Sequence, residues 1–245
     1  MHRRGPDLRR GEIARLQAVT RRASDELIAG RPARGRPAIE LSRGWAFARF
    51  ARPMSTAVLD RPLVLADALP SSRLRDAALI AGGAGLTVLG AQVAVHVPPS
   101  PVPVTGQTLA VVIAGAALGA RRGAASQLLY VLLGLFLPVY ADGASGIEVI
   151  WGATGGYLIG FIAAAALIGW VAERGHDRRT LTAIGTFAAG QLVVFGIGVP
   201  WLALSTGMAW GDAIHNGFTI FIVGGLMKAV LAGLLTPAAW RAVNR

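Results

Sequence analysis

The chain has 245 residues, of which 53% are hydrophobic and only 15% charged, a balance that excludes an ordinary soluble globular domain. Apolar runs of about 18 residues or more recur, and lipid is the environment that accommodates them. The chain has no cysteine, which excludes disulfides, thiolate catalysis and Cys-based metal sites. Its four histidines show no metal-ligand spacing, so we expect neither a metal site nor a cofactor.

The formal net charge of +11 is concentrated at the N-terminus. Residues 1–53 contain thirteen arginines and five acids, and the rest of the chain carries only +3. We expect an Arg-rich, unstructured cytoplasmic extension over residues 1–75. Three interpretations of its basic part stay open: contact with anionic headgroups, contact with RNA, or translation that starts at Met54 instead of Met1. The membrane body itself is not expected to bind nucleic acid.

The apolar runs predict six membrane spans between residues 76 and 238, followed by a short basic tail at 239–245. We place the spans at 76–95, 103–120, 123–140, 150–172, 181–203 and 216–238. The segments on one side of these spans contain arginines, whereas 96–102, 141–149 and 204–215 contain neither Lys nor Arg. By the positive-inside rule, both termini lie in the cytoplasm. The sequence therefore predicts an all-α, multi-pass membrane protein with six transmembrane helices.

Small residues recur every four positions on the first predicted span, at Ala77, Ala81 and Gly85. Such faces let helix backbones approach closely where lipid offers no hydrophobic drive for association. On the other spans, packing within the bundle explains the same spacing. On the first span, we expect this small face to dock a partner subunit.

Lys228 is the only lysine in the chain, and it lies in the middle of the last apolar run. An ionisable group at that depth is costly, so it should face the bundle interior or a wet cavity. It is either a counter-ion for an anionic ligand, or a lysine that snorkels or pairs with a structural carboxylate. The acids on the outer side are Asp142, Glu148 and Asp212.

A polar interruption at the start of the second span predicts further cavity-lining groups. Prolines at positions 98, 99, 101 and 103 disfavour helix before Thr105 and Gln107. Non-helical backbone at membrane depth is tolerated where it lines a cavity or is buried in protein. Thr105 and Gln107 therefore point into a pocket, or Thr105 caps the second span; both interpretations are open.

A second interruption, at residues 151–157, reads WGATGGY. Gly155 and Gly156 allow a ligand or a neighbouring backbone to come close, and Thr154 supplies a hydroxyl. Trp151 and Tyr157 supply flat apolar surface with a polar tip. The segment lacks the lysine and the flanking strand of a phosphate-binding loop. Because no acid–base or nucleophile grouping stands out, we do not expect an enzyme.

In their order along the chain, these motifs resemble the BioY family, the biotin-binding S components of energy-coupling-factor (ECF) transporters. The resemblance rests on VPVTGQTL at 102–109, AG and LGARRG between 114 and 123, LPVY at 137–140 and GATGGYLIGF at 152–161. A later segment, GVPWL at 198–202, also matches. The likeness covers about residues 76–238.

The resemblance implies a bundle of six transmembrane helices that takes up biotin together with a transmembrane coupling protein and two cytoplasmic ATPase subunits. No Walker motif occurs in the chain, so ATP hydrolysis must come from a partner. It further implies that Lys228 contacts the ligand. From the chemistry of biotin, we expect Lys228 to meet the carboxylate, and Thr105, Gln107 and Thr154 to meet the ureido group. Trp151 and Tyr157 would contact the ring, next to Gly155, Gly156 and Asp142.

One departure from the family pattern bears on the ligand. The family usually has P-G-D-x-x-K near the start of its last helix, whereas residues 223–228 read VGGLMK, with Gly225 in place of the Asp. The family GPTGG is also GATGG. Either one of the three outer acids replaces the missing carboxylate, or the site prefers a small vitamin other than biotin. An integral membrane enzyme that uses Lys228 is the remaining alternative.

Overall fold

The computed structural model describes residues 63–243; the predictions for residues 1–53 and for Met54 lie outside this range. Helices dominate the described part of the chain. They are α1 (Arg73–Gln92), α2 (Gln107–Leu118), α3 (Ala120–Gly134), α4 (Ile147–Trp151), α5 (Gly155–Ala172), α6 (Thr180–Thr206), α7 (Trp210–Gly217) and α8 (Ile222–Val243). Single 3₁₀ turns occur at Leu65–Ala68, Ala141–Gly143 and Thr219–Phe221.

A small hairpin replaces helix between α1 and α2. Strand β1 (Ala94–Val95) pairs antiparallel with β2 (Val104–Thr105), so that Ala94 lies opposite Thr105. The prolines between the strands explain why the chain is not helical here, since proline removes the backbone donor that a helix needs. This agrees with the non-helical segment expected before the second span.

Helix α5 forms the centre of the bundle and packs against α2, α3 and α6. Helix α8 packs on α6 and α2, while α1 packs on α2 and α3. Small residues set the closest contacts: a Cβ atom on Gly115 of α2 would lie 2.9 Å from the carbonyl oxygen of Ala165 in α5. Close backbone approach of this kind is typical of helix packing in membranes.

The all-α membrane class is confirmed: within residues 63–243, four stretches are long and apolar enough to cross a membrane. These are α1, α5, α6 and the stretch Trp210–Val243, which contains α7 and α8. Helices α2 and α3 are shorter than the spans predicted at 103–120 and 123–140. At a rise of 1.5 Å per residue, α2 extends only about 18 Å. The helix in the fourth predicted span, 150–172, begins five residues later than predicted, since α5 starts at Gly155.

One end of the bundle gathers the N-terminus of α1, the α2–α3 junction, the α5–α6 loop and the end of α8. Arg122 forms ion pairs with Asp67 at 2.5 Å and Asp76 at 3.2 Å. The backbone N–H of Ala120 donates to Glu173 Oε1 at 2.9 Å. Because Asp67 lies in the 3₁₀ turn before α1, the folded region starts ahead of residue 76, within the segment assigned to the N-terminal extension.

Candidate ligand-binding site

A cavity of about 320 Å³ lies at the other end of the bundle, between α2, α5, α6 and α8. The hairpin segment and the segment before α5 complete its wall. This size lies within the range of small-molecule sites, which are mostly apolar with a few placed polar groups. The lining residues are His96, Pro101, Val102, Pro103, Thr105, Gln107, Thr108, Tyr140, Ala141, Asp142, Ala144, Val149, Gly152, Ala153, Thr154, Tyr157, Leu158, Phe161, Gln191, Phe195, Phe221, Gly225 and Lys228.

Lys228 projects from α8 toward the hairpin and the first turn of α2. Its Nζ donates to the carbonyl oxygen of Thr105 at 2.6 Å and to Thr108 Oγ1 at 3.1 Å. Both acceptors are neutral, and within residues 63–243 no carboxylate forms a salt bridge with Lys228. The half-buried ammonium group therefore faces the cavity with its charge uncompensated by the described part of the protein.

The three outer acids do not replace the missing family carboxylate beside Lys228. Asp142 lines the cavity but lies 3.2 Å from His96 Nε2, and both side chains are more than half exposed. Glu148 and Asp212 are exposed and do not line the cavity. None of them pairs with Lys228 among the described residues, and of the three only Asp142 lines the cavity, where a replacement for the family carboxylate would contact a ligand.

Thr105 and Gln107 line the cavity and also order the start of α2. The hydroxyl of Thr105 donates to Gln107 Oε1 at 2.7 Å and accepts from the Gln107 backbone N–H at 3.3 Å. Gln107 Nε2 donates to the hydroxyl of Tyr130, which is fully buried in α3. Thr105 is therefore a cavity-lining residue, whereas the N-cap of α2 is Gly106, and the Thr105 hydroxyl contacts the first residue of the helix from one position earlier. Sequence reasoning missed Tyr130.

An aromatic wall closes the cavity on the side of α5, α6 and the 3₁₀ turn before α8. The ring of Tyr157 lies 6.4 Å from the ring of Phe195 and 6.4 Å from that of Phe221, between centroids. Its hydroxyl donates to the carbonyl oxygen of Gly217 at 2.9 Å, which fixes the ring. Tyr157 was expected to line a site, whereas Phe195 and Phe221 were not identified from the sequence. Thr154 also lines the cavity.

Trp151, Gly155 and Gly156 lie outside the cavity lining. Trp151 is 66% exposed and stacks on Trp201, with ring centroids 5.8 Å apart. A Cβ on Gly155 would collide with the carbonyl oxygen of Ile150, and one on Gly156 would collide with Trp201. These two glycines therefore serve backbone and side-chain packing, and it is the preceding Gly152 and Ala153 that reach the cavity.

The fold and the cavity define a multi-pass α-helical membrane protein with a site for a small molecule. The BioY family model matches residues 62–245, and the chain belongs to the BioY family. This confirms the resemblance seen in the sequence motifs.

Relatives and a solved structure agree with this assignment. "Biotin transporter BioY2" of Lactococcus lactis subsp. cremoris is 36% identical over 177 residues, covering 72% of this chain and 96% of that protein. "Biotin transporter BioY" of Thermotoga maritima is 37% identical over 151 residues, covering 61% and 86%. The crystal structure of the S-component for biotin from an ECF-type ABC transporter matches with a TM-score of 0.65 and 20% identity, over 70% of this chain and 95% of that one. The chain thus has the fold of an ECF S component.

Proposed function

We propose that this protein is the biotin-binding S component of an ECF-type transporter and mediates biotin uptake across a bacterial cytoplasmic membrane. The observation that carries the proposal is the half-buried Lys228 ammonium group at the wall of a largely apolar cavity of about 320 Å³. An ionisable group inside a membrane bundle is a functional-site candidate by default. The relatives whose length the match covers to 86% or more are named biotin transporters.

The chemistry of biotin fits the groups around the cavity. Biotin has a carboxylate, a ureido group that donates and accepts hydrogen bonds, and an apolar thioether ring. Lys228 meets the carboxylate, because its own protein contacts are neutral oxygens. Tyr157 and its aromatic neighbours contact the ring. Thr105, Gln107 and Thr154 lie at the lining as hydrogen-bonding groups for the ureido end.

A panel of vitamins tests the ligand assignment. Thermal unfolding of the detergent-purified protein would be recorded with biotin, thiamine, riboflavin and pantothenate in turn. Biotin alone should raise the melting temperature, since a ligand that binds only the folded state stabilises it by mass action. Stabilisation by a different vitamin, with none by biotin, would favour the alternative of an S component for that vitamin.

The partners are proposed from family membership and from the exposed face of α1. Ala77 and Ala81 are exposed, and a Cβ on Gly85 would meet nothing within 4 Å. This small face docks the transmembrane coupling protein, and two cytoplasmic ATPase subunits complete the transporter. The cluster around Arg122 at the opposite end from the cavity supports cytoplasmic termini, because basic residues concentrate on that side of a membrane.

A further inference from the structure

A buried amide oxygen at the cavity wall lacks a hydrogen-bond partner. Among the described residues, three buried side-chain atoms have none: Asp177 Oδ1, Gln191 Oε1 and Asn216 Oδ1. Of these three residues, only Gln191 lines the cavity. Buried polar atoms without partners are rare in folded proteins, and each requires an explanation.

The amide of Gln191 is held in one orientation by α8. Gln191 lies in the middle of α6, and only 5% of its surface is exposed. Its Nε2 donates to the carbonyl oxygen of Gly225 at 2.5 Å. With the nitrogen hydrogen-bonded to the backbone of α8, the oxygen remains as a buried acceptor, and burying a polar group without a partner is costly.

Gly225 provides the space that this amide occupies. A Cβ on Gly225 would lie 2.8 Å from Gln191 Oε1, closer than real Cβ atoms approach other atoms. Any side chain at position 225 would therefore displace the amide. The family pattern has an aspartate at this position. In this chain, the amide of Gln191 therefore takes the part of the cavity wall that the aspartate carboxylate would take in the family.

We propose that Gln191 is a ligand-recognition residue, whose Oε1 accepts a hydrogen bond from a ureido N–H of biotin in place of the family aspartate. This inference rests on the proposed function. The biotin carboxylate is ionised at neutral pH and the thioether sulfur has no hydrogen, so the ureido N–H groups are the donors that biotin offers. Gly225 is then required by the site, because it leaves room for the Gln191 amide, and its presence does not mean that the site has lost ligand binding.

The test is isothermal titration of biotin into the purified protein and three variants. Gln191→Met removes the amide and keeps the length of the side chain. Gly225→Ala adds only the Cβ that displaces the amide, and it should not lower helix stability, because alanine favours a helix over glycine. Gly196→Ala, at a helical glycine of α6 with open space around it, is the matched control.

We expect Gln191→Met and Gly225→Ala each to weaken biotin binding about tenfold while both variants remain folded, and we expect unchanged binding by Gly196→Ala. The same two variants should weaken the binding of biotin methyl ester by the same factor relative to the wild type, since the ester has the same ureido group as biotin. If the wild type binds biotin but Gly225→Ala binds it equally well, the role of Gln191 is overturned while the proposed function stands. If Gln191→Met does not fold, the Gly225→Ala result decides. Absence of binding by the wild type overturns both proposals.

Discussion

Lys228 is held by oxygens of the segment that opens α2, and those oxygens are neutral. A buried charge is costly unless it is paired, so an anionic ligand gains from this arrangement. We predict that Lys228→Met weakens biotin binding at least about tenfold, equivalent to about 1.4 kcal/mol. The loss should shrink for biotin methyl ester, which lacks the carboxylate. Equal losses for biotin and its ester would place Lys228 at the ureido end.

Asp177, in the loop between α5 and α6, is fully buried and accepts a hydrogen bond from Trp240 Nε1 at 2.6 Å. Burial raises the pKa of its carboxyl above the ordinary 3.8, and the hydrogen bond from Trp240 opposes this. Because the pKa of Asp177 is higher in the folded state, its protonated carboxyl contributes to the free energy of unfolding. This contribution is fully present below pH 3.8 and is lost as the pH rises through the pKa of the folded state.

We therefore predict that Asp177→Asn is more heat-stable than the wild type at pH 7, and that the difference shrinks toward pH 4. Asparagine keeps an oxygen that accepts from Trp240 and cannot ionise. Melting temperatures across this pH range, with exposed Asp212→Asn as control, would measure the effect. A variant that is less stable at every pH would show that the ionised carboxylate stabilises the fold.

Residue types indicated parts of the site but not which group each residue contacts. Lys228 was found because a lone charge in an apolar run has few explanations. The glycines at 155 and 156 correctly signalled close approach, yet what approaches them is Ile150 and Trp201. Gln191 was missed because one polar residue in a long apolar helix gives no sign of a contact 34 positions away.

At the scale of helices, hydropathy placed a helix within each predicted span, but four of the described stretches are long and apolar enough to cross a membrane, and the ends of the short helices were misjudged. The α2–α3 junction turns at Gly119, which has a φ of 83°. A side chain is strained in that conformation, so glycine allows two short helices to meet without a loop. The 137–140 segment, assigned to the third span, lies beyond the end of α3 because the helix stops at Gly134. Tyr140 packs edge-on against Tyr130 there, at 5.6 Å between centroids.

The small face of α1 gives a prediction at this scale. Ala81→Leu should reduce co-purification of the coupling protein while biotin binding by the isolated subunit stays unchanged, because the residue is exposed and remote from the cavity. Close backbone approach requires small side chains, and leucine prevents it. Gly196→Leu, on the exposed face of α6, is the control. Retained co-purification by Ala81→Leu would exclude this face as the docking surface.

At the scale of the whole molecule, the described residues place the cavity and the main cluster of ion pairs at opposite ends of the bundle. The cavity and its polar groups occupy one end, and the ion pairs of Arg122 the other. Charge asymmetry along the sequence predicted such a division, since basic residues avoid the outer side of a membrane. The cavity itself could not be derived this way, because it depends on how α2, α5, α6 and α8 pack.

The chain has no cysteine, so single-cysteine variants report topology directly. Ser145, beside the cavity, and His176, in the α5–α6 loop, are both exposed. On intact cells, a membrane-impermeant maleimide should label Ser145→Cys and not His176→Cys; permeabilised cells should show both. The reverse labelling pattern would contradict cytoplasmic termini.

Isothermal titration of biotin into the detergent-purified, full-length wild-type protein tests the central claim most directly. The account predicts saturable heat with one biotin bound per chain, together with a higher melting temperature in its presence. A folded protein that gives neither heat nor thermal stabilisation with biotin would contradict it.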